Sequence, residues 1–190
     1  DFQAAYDTQH IISRVTGPND SWIDGTIYSG TSQADMYLVN SNGVVFGNNA
    51  SLDVQGAFHV STADYVTLAD GQRVYTDPSQ GVNLTVAAPE AFGFLDADVG
   101  AIQVQGSQLV IHRGKSISLT GGEIMLEPGS ELRIERIHYL KNDLRRDISL
   151  TGVASPAEIP VAPDGPLAKQ PTRFAPVTLT QSTLDTKHNF

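Results

Sequence analysis

Five histidines are the first residues to weigh for chemistry: His10, His59, His112, His138 and His188. They fall in unrelated segments, with no His-x-His or His-x-x-x-His spacing, and the chain has no cysteine. A zinc centre needs three or four converging nitrogen or sulfur donors, so no metal site is expected, and disulfides are excluded. His59 stands in AFHVST between Phe58 and Val60, whose side chains point the other way along a strand, which predicts an exposed or rim position. The carboxylates Asp64, Asp70, Asp77, Asp96 and Asp98, with Arg73 nearby, are the set that could cleave an acidic polysaccharide in a groove between stacked strands. Most stand in turn contexts such as Ala69-Asp70-Gly71 and Asp77-Pro78, where backbone geometry selects Asp. No Gly-x-Ser-x-Gly elbow, phosphate loop or GGxGxD calcium repeat is present. We therefore expect no catalytic residue and no cofactor. The remaining candidate is Asn40-Ser41-Asn42-Gly43-Val44, an Asn-Gly tight-turn signal between two apolar strands, whose amides could bond neighbouring backbone.

The elements that would position these residues are short. From Ile102 to Ile134 the chain reads IQVQGSQ, LVIHRGKS, ISLTGGE, IMLEPGSE, LRI. Each unit opens with an apolar residue and repeats one two places on, giving the pairs Ile102/Val104, Leu109/Ile111, Ile117/Leu119, Ile124/Leu126 and Leu132/Ile134. Gly106, Gly114, Gly121-Gly122 and Pro128-Gly129 then turn the chain before an ordinary strand length is reached. Such strands bury too little alone, and stacking coils of three buries a continuous column, with about 22 residues per coil. An antiparallel sandwich of hairpins is the alternative, but hairpin strands usually run to about 5–6 residues.

The expectation is an all-β chain, a right-handed parallel β-helix. Ile102, Val104, Ile111, Ile117, Leu119, Ile124, Leu126, Leu132 and Ile134 should face inward, and Gln103, Ser118, Met125 and Arg133 outward. Val44–Phe46, Ser51–Val54 and Val66–Leu68 look like earlier units, and Ile148–Leu150 and Val177–Leu179 like later ones. ELRIERIHYLKNDLRRD, with Leu132, Ile137, Leu140 and Leu144 at partly helical spacing, reads as an excursion from the coil.

Composition narrows the partners. A formal net charge of −9 argues against nucleic acid, which needs clustered Lys and Arg. No apolar run approaches 18 residues, so no transmembrane helix is expected. Asp1-Phe2-Gln3 lacks the basic and apolar regions of a leader, so the chain reads as mature or as a fragment. Six prolines between Pro156 and Pro176 cannot donate to a ladder. The expected organisation is a β-helix over 1–155, a Pro-rich loop or linker over 156–174, and resumed, truncated β-helix over 175–190.

Residues 38–65, LVNSNGVVFGNNASLDVQGAFHVSTADY, resemble the secretion domain of the filamentous haemagglutinin family, the exported partners of two-partner secretion systems. The family's hallmark Asn-Pro-Asn-Gly-Ile, followed by Phe-Gly, stands here as Asn40-Ser41-Asn42-Gly43-Val44 and Phe46-Gly47, with Ser for Pro and Val for Ile. IISRVTG (11–17), IDGTI (23–27), PEAFGFL (89–95), IQVQG (102–106), SLTGGEI (118–124) and SLTGVASPAEI (149–159) follow in family order, and residues 130–147 match poorly. The resemblance implies that the family's amino-terminal capping strands are missing. It also implies a non-enzymatic secretion signal and folding nucleus, recognised by an outer-membrane β-barrel transporter through periplasmic domains and displayed outside the bacterial cell. A role for residues 40–44 in transporter recognition enters only with that resemblance. An adhesin or matrix-fibre segment, with a host or glycan receptor or self-assembly through open ends, is the alternative reading. A carbohydrate-active protein is the third.

Overall fold

The computed structural model describes residues 8–30, 33–81, 85–112, 114–135, 148–162 and 169–185. The chain runs in rounds of short strands. The first round is β1 (His10–Arg14), β2 (Ser21–Ile23) and β3 (Thr26–Tyr28), and the second is β4 (Asp35–Val39), β5 (Val44–Phe46) and β6 (Ser51–Asp53). After β7 (Phe58–Ser61) the path leaves to make β8 (Tyr65–Leu68), β9 (Arg73–Tyr75), a 3-10 turn at Pro78–Gln80, and β10 (Pro89–Phe94). It returns as β11 (Ile102–Val104) and β12 (Gln108–Ile111), then β13 (Ile117–Gly121), β14 (Ile124–Leu126) and β15 (Glu131–Ile134). The last round is β16 (Ile148–Gly152), β17 (Ala157–Pro160), β18 (Val177–Leu179) and β19 (Thr183–Asp185).

Pairing joins equivalent strands of successive rounds. One parallel ladder runs β1-β4-β7-β13-β16 and a second β2-β5-β11-β14-β18. Parallel pairs β3-β6 and β12-β15-β19 form the third side. The hairpin alternative therefore fails for residues 102–134, where every ladder is parallel.

Register follows from the i, i+2 apolar pairs. Met36, Phe58, Ile117 and Ile148 form one column, and Leu38, Val60, Leu119 and Leu150 the next. Val44, Ile102 and Ile124 stack on the second ladder, as do Phe46, Val104 and Leu126. All nine residues expected to face inward are buried in this core.

The antiparallel part was not expected. Residues 66–68 belong to β8, and β8 and β9 form a hairpin closed at Ala69-Asp70-Gly71, where Gly71 has φ 81° and its N–H bonds the Leu68 carbonyl at 2.8 Å. Only a residue tolerant of positive φ closes that turn cheaply. β17 and β10 complete a four-stranded sheet in the order β17-β10-β8-β9. Its Val66, Leu68, Phe92, Phe94 and Ile159 pack with Tyr37 and Val39 of the first ladder in a second core.

Two expectations are corrected by that layer. Ser118 points out of the first core as its alternation requires, yet it is buried, whereas Gln103, Met125 and Arg133 are partly exposed. The stretch 156–174 is not wholly loop, because Ala157–Pro160 pairs with β10 and the Glu158 N–H donates to the Lys169 carbonyl at 2.9 Å. Pro160 sits on the sheet's edge strand, where a missing donor is tolerated. Of the excursion proposed from ELRIERIHYLKNDLRRD, Glu131–Ile134 is strand, and 136–147 lies outside the described residues.

Candidate functional site

The Asn40–Val44 turn joins the first ladder to the second. Asn40 is completely buried. Its Nδ2 donates to the Asn19 carbonyl at 3.0 Å and to the Ser21 hydroxyl at 2.9 Å. Its Oδ1 accepts from the Asn42 backbone N–H and from Asn42 Nδ2, both at 3.1 Å. Both amide donors and the acceptor are thus used, as a buried amide requires. Its own N–H donates to the Ser61 carbonyl at 3.0 Å, so one residue ties the preceding round to the following one.

The rest of the turn continues the stitching. Asn42 Nδ2 also donates to the Gly17 carbonyl at 2.8 Å. Gly43 has φ 134°, which disfavours a side chain, and a Cβ there would also crowd the Ala101 carbonyl oxygen at 3.1 Å. The Val44 N–H donates to that same carbonyl at 3.0 Å. Ser41, where the hallmark has proline, accepts from the Thr76 hydroxyl at 3.4 Å and so touches the antiparallel layer.

Ser41 and Asn42 line an open cleft of about 420 Å³ together with Asp64, Tyr75, Thr76 and Asp77. Asp64 Oδ2 accepts from the Leu95 N–H at 2.7 Å, and burial holds its carboxyl above the usual range. Asp77 caps the 3-10 turn, and the Ser79 N–H and hydroxyl hold its carboxyl below the usual range. The other carboxylates stay out of the cleft: Asp70 accepts from the Gln72 N–H at 3.1 Å and Asp96 from the Asp98 N–H at 2.9 Å. Arg73 is committed elsewhere, to Glu158 at 2.9 Å. The structure brings Asp64 and Asp77 to one cleft, and Asp70, Asp96, Asp98 and Arg73 are not part of its lining.

The histidines are equally dispersed. His59 is buried, contrary to its expected rim position, because Tyr37 stacks on it at 4.8 Å and Ser118 meets its Nδ1 at 2.7 Å. Burial pushes its pKa down to about 4. His10 meets the edge of Tyr37 at 6.0 Å. His112 bridges Gln55 and Glu135, each at 3.2 Å. His138 and His188 lie outside the described residues. Among the described residues no group of three metal-ligating side chains forms, and no helix is long and apolar enough to cross a membrane.

One polar cluster escaped sequence reading. Glu158 Oε1 accepts from the Tyr65 hydroxyl at 2.8 Å, the Thr67 hydroxyl at 3.3 Å and Arg73 at 2.9 Å, while the Arg73 guanidinium lies 4.4 Å over the Tyr65 ring. Glu158 lies 85 to 93 residues beyond the other three, and the antiparallel pairing of β8, β9, β10 and β17 brings it to them. The Asp-Gly turn between two alternating runs was the signal available for that pairing.

Parallel ladders of short strands, joined by a fully bonded polar turn, define an all-β chain. The model of the TPS secretion domain matches residues 1–165. The chain belongs to that family, the two-partner secretion domain of filamentous haemagglutinin type. No curated protein and no solved structure matches it. Beyond residue 165, β18 and β19 extend the second and third sides in register.

Proposed function

We propose that this two-partner secretion module is a non-enzymatic, right-handed parallel β-helix, recognised by an outer-membrane barrel transporter and displayed extracellularly as a folding nucleus. Membership in the family over residues 1–165 supports the secretion role. The observation that carries the structural part is Asn40: buried, fully bonded and spanning three rounds, it serves ladder register. Direct contact with the transporter falls to Ser41 and Asn42, which line the adjoining cleft, while Asn40 cannot reach a partner. Asp64 and Asp77 share one cleft, yet both, like Asp70 and Asp96, hold backbone N–H groups of turns or loops, which supports the non-enzymatic reading over polysaccharide cleavage.

Export tests it. The chain, supplied with a leader and expressed with its barrel transporter, should reach the medium, and without the barrel it should stay in the periplasm. Equal export with and without the barrel would sink the reading. Zymography on acidic polysaccharides should show no clearing, and clearing lost on Asp64→Asn would show an enzyme instead. An adhesin or fibre segment is the second reading, favoured by the exposed apolar residues Val177, Leu179 and Leu184 of the last round.

A further inference from the structure

The outer face of the second ladder has an unusual composition. Its strands stack DSWID, GVVFG, AIQVQ, EIMLE and PVTLT, residues 20–24, 43–47, 101–105, 123–127 and 176–180. Inter-round bonds continue past the strands at both ends: Val44 N–H to the Ala101 carbonyl and Ile102 N–H to the Glu123 carbonyl on one flank, Gln105 N–H to the Phe46 carbonyl and Glu127 N–H to the Val104 carbonyl on the other. Alternation then sends every first, third and fifth residue outward. The central outward column is Trp22, Val45, Gln103, Met125 and Thr178, with no charge. The flanks carry four carboxylates, Asp20 and Glu123 on one side, Asp24 and Glu127 on the other, and no Lys or Arg.

Trp22 is 62% exposed at the centre of the edge strand, beside Val45, which is only 8% exposed. An exposed Trp with a half-buried Met in an uncharged stripe with a charged rim has the composition of a protein interface: apolar centre, polar border. All four rim carboxylates are exposed. Four like charges framing one face repel each other, and a partner bearing Lys or Arg relieves that repulsion, whereas a neutral glycan stacking on Trp22 would not.

We infer that this face is the docking surface for a protein partner with an apolar socket flanked by basic residues, Trp22 supplying the anchor. The inference rests on the secretion reading in naming that partner as the transporter's periplasmic domains, and it adds an anchoring contact on this face to the one at Ser41 and Asn42.

The test is binding of the 190-residue chain to the purified periplasmic domains of its barrel transporter, by calorimetry or interferometry at two salt concentrations. Trp22→Ala should raise Kd at least tenfold, as truncating a central aromatic anchor does. Glu123→Gln with Glu127→Gln should weaken binding severalfold at low salt and flatten its salt dependence. Gln108→Ala, exposed on the third side, should change nothing. All these side chains point outward, so circular dichroism and urea midpoints should stay unchanged and report folding separately. Wild-type binding indifferent to Trp22 and to both glutamates would overturn this docking surface and leave the secretion reading standing. Absence of wild-type binding would remove both. Capture of a neutral glycan abolished by Trp22→Ala, with transporter affinity unaffected, would assign the face to sugar and also overturn the inference.

Discussion

The His59 imidazole lies against the Tyr37 ring with 4.8 Å between centroids and an interplanar angle of 19°. The two occupy paired positions on β7 and β4, on the outer face of the first ladder. Ser118, paired to His59 from the other side, meets its Nδ1 at 2.7 Å. The pair is thus a buried outward column, made possible by the second layer that covers Tyr37 and Val39.

That burial predicts acid sensitivity. His59 has a folded pKa of about 4 against an ordinary 6.5; burial lowers it first, Asp35 opposes and His10 adds to the lowering. The unfolded chain therefore binds a proton that the folded one refuses, so stability is full above about pH 6.5 and falls as pH drops toward 4. The loss over the whole range is on the order of 3 kcal/mol for a shift of this size. Asp64 acts oppositely, because its raised pKa lets the folded form take up a proton first. Asp24, Asp70 and Asp77, all held low, lose their contributions only below the ordinary carboxylate range. Urea midpoints from pH 7.5 to 5 should fall for the wild type and stay nearly flat for His59→Phe. Parallel slopes would show that His59 is not the source.

The core columns predict a graded truncation series. Leu119 lies between Val60 and Leu150 and is fully buried, so Leu119→Ala should cost about 2–5 kcal/mol. Leu184 is the inward partner of Leu132 but is 41% exposed, and Leu184→Ala should cost about 1 kcal/mol or less. Chemical denaturation of the two variants checks both, and equal losses would contradict the assigned packing.

The polar turn makes a sharper demand. Asn40→Asp removes both amide donors and sets a carboxylate beside the Asn19 carbonyl in a buried site. It should cost more than Asn40→Ala, which itself should cost about 2 kcal/mol. Gly43→Ala should be destabilising through its φ of 134° alone. If Asn40→Asp were as stable as wild type at pH 7.5, the bonding pattern around this amide would be wrong.

These residues also show what sequence could and could not tell. The parallel columns were legible because glycine turns recur every seven or eight residues and each unit carries its own i, i+2 apolar pair. Those are local signals. The turn at Asn40 was legible for the same reason, though its buried bonds to Asn19, Ser21 and Ser61 were not, since each partner is some twenty residues away. The second layer was missed because Val66-Thr67-Leu68 has the same alternation in a parallel coil as in an antiparallel hairpin, and only Asp70-Gly71 distinguished them. Missing that layer made His59 and Ser118 look exposed. An outward residue on one ladder is buried only if another sheet comes to cover it, and that depends on residues 89–94 and 157–160.

The last round carries the final prediction. Val177, Leu179 and Leu184 hold the same inward columns as Ile124, Leu126 and Leu132, which are fully buried one round earlier. Yet the three are 37%, 47% and 41% exposed. Among the described strands, β16, β18 and β19 each pair on one edge only. An apolar end face framed by open strand edges is a template for further parallel or antiparallel pairing. Such a face binds whatever strand reaches it, so the polypeptide spanning residues 1–190 should self-associate increasingly with concentration. Leu179→Lys places a charge in the exposed column without disturbing the buried rounds, and it should shift sedimentation toward monomer. Trp22→Ala, on the outer face at the other end of the ladder, should leave association unchanged. Sedimentation velocity across a hundredfold concentration range distinguishes the outcomes. A wild-type chain that stays monomeric throughout, with slow amide exchange in β18 and β19, would mean that this end is already closed.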